Sequence, residues 1–182
     1  MTELNNKTLG VEDMQIDTAI AVLTIKAIKA QDNEQIKYVK LIDIISKHKE
    51  KLVMGRFSEK YNTISEVIES ITSDINKNMH IINAFLDSAE NALMESKRKG
   101  VKVNHYISEE VNNSLSSLEK SAQPLVAMRD NGICDCGLLQ EEDIALIKST
   151  LHSYRFNYTR IVNFKNEVEN HNKITECDAI LE

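Results

Sequence analysis

The sequence predicts an all-α protein: an elongated helical bundle of about five amphipathic helices, one of them long and central. Two observations carry that expectation. The 182 residues include only five Gly and one Pro, whereas an average chain draws roughly 12% of its residues from the two together. Turns rely on glycine for positive φ and on proline for fixed φ, so this chain has the means for few of them. Sandwiches, barrels and doubly wound sheets, which need a turn about every ten residues, are disfavoured. The second observation is that apolar residues recur at alternating spacings of three and four along most of the chain. The length suits one domain with a real core. The expected organisation is a polar tail over 1–10, one helical-bundle domain over 11–171 and a C-terminal tail over 172–182.

Segment one runs from about Val11 to Ala30, with Ile16, Ile20, Leu23 and Ala27 in register and Ala19, Val22 and Ile28 widening the apolar face. That width predicts burial on most sides. The β-branched run from Ile20 to Ile25 has strand propensity, but the segment's length and alanine content favour a helix. Segment two, about Asn33 to Met54, carries Ile36, Val39, Ile42, Ile45 and Leu52, with Asp32 or Asn33 as N-cap.

Segment three begins with Ser58 as cap and meets no Gly or Pro until Gly100. Its seam reads Tyr61, Ile64, Ile68, Ile71, Ile75, Ile82, Phe85 and Ala89, with Asn78 at the one polar position. Lys97, Arg98 and Lys99 face the negative end of the helix dipole, and Gly100 supplies the left-handed stop. About 42 residues of helix span roughly 63 Å, against a radius of gyration of about 16 Å for a compact chain of this size. Either the molecule is elongated or the helix restarts near Thr72-Ser73-Asp74. Segment four is capped by Ser108 and striped by Val111, Leu115, Leu118, Ala122, Leu125 and Met128; Pro124 inside it predicts a kink or a division. Segment five opens at Gln140 with three acids at its positive end, and Ile144, Ile147, Leu151, Tyr154, Tyr158, Ile161 and Val168 form its stripe.

The formal charge is −6, from 28 acidic and 22 basic side chains, so binding to a DNA backbone is not expected. The longest purely apolar stretch, Ala19 to Leu23, is far short of the roughly 20 residues a membrane span needs. No signal is visible in the polar first ten residues, and three cysteines are too few for a disulfide framework. A cytoplasmic location is expected, with signal-independent export left open.

Chemistry-bearing residues are sparse. Cys134 and Cys136 sit one residue apart in the loop Arg129 to Gly137, where two thiols suit a metal or a redox pair. Cys177 is the third candidate. If 141–170 is one helix, its far end is about 44 Å from the loop, and the seven residues on to Cys177 reach back at most about 25 Å. One straight subunit therefore keeps Cys177 from the pair, whereas an antiparallel dimer would join them. Of the five histidines only His171 follows a glutamate at helical spacing, Glu167, so no two-metal carboxylate site is expected. No phosphate-cradling glycine loop, nucleophile elbow or His-Glu-x-x-His occurs. No cofactor is expected.

Arg98 and His105, with six residues between them, fit the Arg-x4–6-His spacing and in this resemble the helical ribonuclease family called HEPN. The resemblance, confined to these two residues, implies a four-helix, often dimeric protein acting on RNA through the pair. Gly100 and Val101-Lys102-Val103 depart from a helical setting for it. Lys97, Arg98, Lys99, Lys102 and His105 form a small basic patch suited to RNA contact.

Long apolar stripes are chiefly a protein's own core, but Tyr154, Phe156, Tyr158 and Phe164 gather four of the nine aromatic residues on segment five, and Phe156 falls off its seam. These four are the candidate contacts for a partner. In size, acidity and helicity the chain is similar to small acidic export chaperones of bacteria. The expected function is non-enzymatic protein–protein interaction, as an adaptor, chaperone, immunity-type inhibitor or assembly subunit, through helix packing with another protein or a second copy. Two alternatives stand beside it: a ribonuclease acting through Arg98 and His105, and a helical protein that inserts into membranes.

Overall fold

In a computed structural model, residues 16–55 and 63–181 are described, with side chains for 16–48 and 63–177. The described residues contain five α-helices and no strand: α1 (Ile16–Lys29), α2 (Asp32–Gly55), α3 (Ile64–Lys99), α4 (His105–Asp130) and α5 (Glu141–Leu181), with a short 3-10 turn at Ile133–Asp135 before α5. The all-α class read from the glycine and proline content is the class observed. Val11 to Gln15, Ser58 and Tyr61 lie outside the described residues.

Two compact units divide the chain. The first takes in Met1–Ser73 and Pro124–Ser149, the second Asp74–Gln123 and Thr150–Glu182. The divisions fall inside helices α3, α4 and α5. Two of them coincide with places where the sequence suggests a break, Ser73-Asp74 and Pro124, yet α3 and α4 continue unbroken through both. A proline removes one donor and crowds one carbonyl, and here the helix absorbs the loss. Thr72 is buried, and its hydroxyl has no hydrogen-bond partner among the described residues.

In the first unit α1 packs on α2. Only one face of α1 is buried, through Ile16, Ala19, Leu23 and Ala27, while Ile25 and Ile28 are exposed. Burial on most sides, the expectation for this segment, is thus corrected: among the described residues the buried side chains of α1 lie on one face. Among the described side chains of α2 the buried ones are Leu41, Ile44 and Ile45, the expected Ile36 and Val39 face solvent, and the expected Leu52 lies outside the described side chains. The turn into α2 places Asp32 at φ 47, a left-handed conformation that aspartate tolerates better than most residues. The Ser65 hydroxyl donates to Oδ2 of the buried Asp143 at 2.7 Å, tying α3 to the first turn of α5.

The seam of α3 runs Ile64, Ile68, Ile71, Ile75, Met79, Ile82, Leu86, Ala89 and Leu93. Its mean step is about 3.6 residues, the α-helical repeat. The sequence expectation kept a 3.5-residue repeat and so named Asn78 and Phe85, which are only half-buried, in place of Met79 and Leu86. The N-cap of the described helix is Thr63, whose hydroxyl accepts from the Glu66 N–H at 3.2 Å. At the other end Val101 N–H donates to Ser96 O and Gly100 N–H to Lys97 O, with Gly100 at φ 64. This is a Schellman stop, as the sequence predicts.

Helix α4 starts a turn before the expected Ser108, because Asn104 Oδ1 accepts from the Tyr106 N–H at 3.0 Å. In α5 the helix passes position 171 and continues through Leu181, so it is the longest described helix, with 41 residues against 36 in α3.

Candidate functional site

Helix α5 supplies core and surface from opposite faces. In the second unit Leu151, Ile161, Phe164 and Val168 are buried. Asn157 joins them at 8% exposure, its Nδ2 donating to Met79 Sδ at 3.3 Å and to Ser153 O at 2.9 Å. Successive helical residues are about 100° apart, so Phe156, next to the buried Asn157, is turned outward and is 70% exposed. His152, Arg155, Thr159 and Asn163 continue that outer stripe, and with Glu90 of α3 they border an open groove of about 580 Å³.

One wall of the groove is fixed by Arg160. Its guanidinium donates to Asp87 Oδ1 at 2.7 Å, to Glu90 Oε1 at 2.9 Å and to Asn83 Oδ1 at 3.1 Å. The three acceptors lie at i, i+4 and i+7 on α3, so a single planar fork reads one stripe of the neighbouring helix. The hydrogen bonds to Asp87 and then Glu90 hold the Arg160 charge more firmly than usual. Arg155 is exposed and has no ion-pair partner among the described residues. The groove therefore presents an aromatic ring, the unpaired Arg155 and neutral hydrogen-bonding side chains, beside the carboxylates of Glu90, tied to Arg160, and Glu167, tied to Lys97.

The four aromatic residues grouped by the sequence separate in the structure. Phe164 is 4% exposed and belongs to the core, which corrects its place among the surface contacts. Tyr154 and Tyr158 are half-buried, with ring centroids 5.8 Å apart and planes inclined at 43°. The Tyr158 hydroxyl donates to Glu119 Oε1 of α4 at 3.0 Å, and that hydrogen bond pushes its phenol pKa up. Only Phe156 offers its ring freely. Sequence reasoning missed Arg160, Arg155 and Glu90. Arg160 lies four residues beyond Phe156, a visible signal, but its pairing with α3 spans 70 residues or more.

The two thiols of the cysteine loop are covered to different degrees. Cys134 is buried in the 3-10 turn, and burial, followed by the neighbouring Asp135 charge, raises its thiol pKa against the pull of Lys148. Cys136 is half-buried, donates its S–H to Ile133 O at 3.1 Å and is likewise raised by burial. Both shifts disfavour the thiolate that a metal or a disulfide exchange needs. Cys177 is exposed on α5, in the other unit. No group of three or more His, Cys, Asp or Glu among the described residues is arranged to hold a metal ion.

The basic patch around the α3–α4 turn is largely compensated. Lys97 pairs with Glu167, Lys99 with Glu95 at 2.6 Å, Lys102 with Glu176 at 2.6 Å, and His105 faces Glu109 at 3.2 Å. Arg98 is exposed and unpaired among the described residues. It ends α3 while His105 begins α4, with the turn between them. No described helix is long and apolar enough to cross a membrane.

Comparison of the chain with protein-family models, with curated proteins and with solved structures finds no match.

Proposed function

We propose that this chain is a non-enzymatic protein-interaction module, one that docks a partner through the outer face of α5 in the second unit. The observation that carries the reading is Phe156, a large apolar side chain 70% exposed on a rigid helix beside an open groove. Aromatic side chains and arginine dominate binding hot spots, because they bury much area for few rotatable bonds. Phe156 and Arg155 stand together on the groove, and Arg160 is already locked to α3. An amphipathic partner helix laid along α5 would cover the ring and meet Arg155 with an acidic side chain.

Affinity purification from the native source tests this reading, with wild type, Phe156→Ala and Arg155→Ala as baits of equal helicity by circular dichroism. Phe156→Ala is expected to reduce recovery of the partner about tenfold or more, as loss of a hot-spot residue does. Equal recovery from all three baits would overturn the assignment of this face.

A further inference from the structure

We propose that the last turns of α5 form a salt-labile clamp on the turn between α3 and α4, and that clamp and turn open together. Residues 101–104 are not helical, and side chains from the last described turns of α5 hold them. Lys97, just before the turn, pairs with Glu167. His171 Nε2 donates to Val101 O at 2.9 Å, Asn172 Oδ1 accepts from Val103 N–H at 2.8 Å, and Lys102 Nζ lies 2.6 Å from Glu176 Oε1. The α5 residues stand at i, i+4, i+5 and i+9, so the contacts spread over about half of the helix circumference along its last described turns.

Apolar packing adds little to these contacts. Val168 is the last buried side chain of α5 among those described; from Glu169 through Cys177 every side chain is exposed or half-exposed, and Ile174 is 61% exposed. An open cleft of about 410 Å³ lies where Gly100 and Lys97 face Glu167, His171 and Ile174. The clamp thus bridges a cleft through polar contacts instead of filling it. Each exposed ion pair shifts an equilibrium by a factor of about five at most, and salt screens that contribution. A helix end without buried apolar contacts belongs to the low-stability part of a fold, which opens locally before the core does. Opening would release the Val103 N–H and free Lys97 and Lys102. The inference does not depend on the α5 groove as a binding site.

Amide hydrogen exchange of the full chain, followed residue by residue by NMR, provides the test. The Val103 N–H bonds to the Asn172 side chain and the Val101 N–H to Ser96 O within the Schellman stop, so the first reports the clamp and the second serves as control. Val103 and the amides of 170–177 should exchange at one common rate, at least about tenfold faster than those of 161–168. Raising NaCl from 0.05 to 1 M should accelerate both by about fivefold, as should Glu176→Gln, with Val101 little changed. Exchange of 170–177 as slow as that of 161–168 would overturn the proposal. So would a Val103 rate that fails to follow 170–177, or rates indifferent to both salt and Glu176→Gln.

Discussion

Phe156 and Phe164 are eight residues apart on one helix, and replacing each by alanine should have opposite consequences. Phe164 is 4% exposed. A buried phenylalanine removes about 175 Å² of surface from water, which at about 25 cal/mol per Å² amounts to about 4 kcal/mol. Phe164→Ala should therefore cost about 3–5 kcal/mol once the cavity is included. Phe156 is 70% exposed, so the same arithmetic leaves it about 1 kcal/mol of burial. Alanine's better helix propensity returns about 0.5 kcal/mol of that. Urea unfolding followed by circular dichroism checks both variants, read from the midpoint at unchanged slope. Phe164→Ala should move the midpoint strongly and Phe156→Ala hardly at all, while only Phe156→Ala weakens the partner at native concentrations. Equal midpoint shifts, or a larger one for Phe156→Ala, would refute the division of α5 into a core face and a docking face.

Two further outcomes follow from local geometry. Gly100→Ala meets no atom within 4 Å of the new Cβ, so its cost is that of φ 64 alone; a loss of about 0.5–1 kcal/mol is expected after the gain from a stiffer unfolded chain, and Gly100→Asn should recover part of it in the same urea assay. Thiol alkylation at pH 7.5 should label Cys177 first, Cys136 more slowly and Cys134 last, because burial both shields the latter two and raises their pKa. Since the folded state holds those two protons more tightly, their stabilising effect is complete below the unfolded thiol pKa of about 8.5 and is lost as pH rises through the folded values. A stability profile flat from pH 7.5 to 10 in wild type but not in Cys134→Ser would contradict that sign.

Much of the helical framework can be read directly from the residues, since its causes are local. Gly100 after three cations stops α3 because a left-handed residue closes the carbonyls of the last turn, and this depends on neighbours within five residues. The acids at 141–143 open α5 for an equally local reason. Local rules fail where two signals compete. Ser108 and Asn104 are both good caps, and the earlier one is used. Ile36 and Val39 have the right spacing but lie on the outer side of α2. A stripe fixes the relative angles of its members, and only a neighbouring element decides which stripe faces inward.

The sequence by itself determined the all-α class, the order of the helices and most of their ends, because helix formation is governed by side-chain entropy, capping and spacing within a few residues. The tertiary structure decided which faces are covered. It placed Phe164 inside and Phe156 outside, seated Arg160 between Asp87 and Glu90, neutralised Lys97 and Lys102 with glutamates from α5, and carried that helix on to Leu181. These outcomes join residues some 70 positions apart, and no helical period encodes which distant side chain will stand opposite.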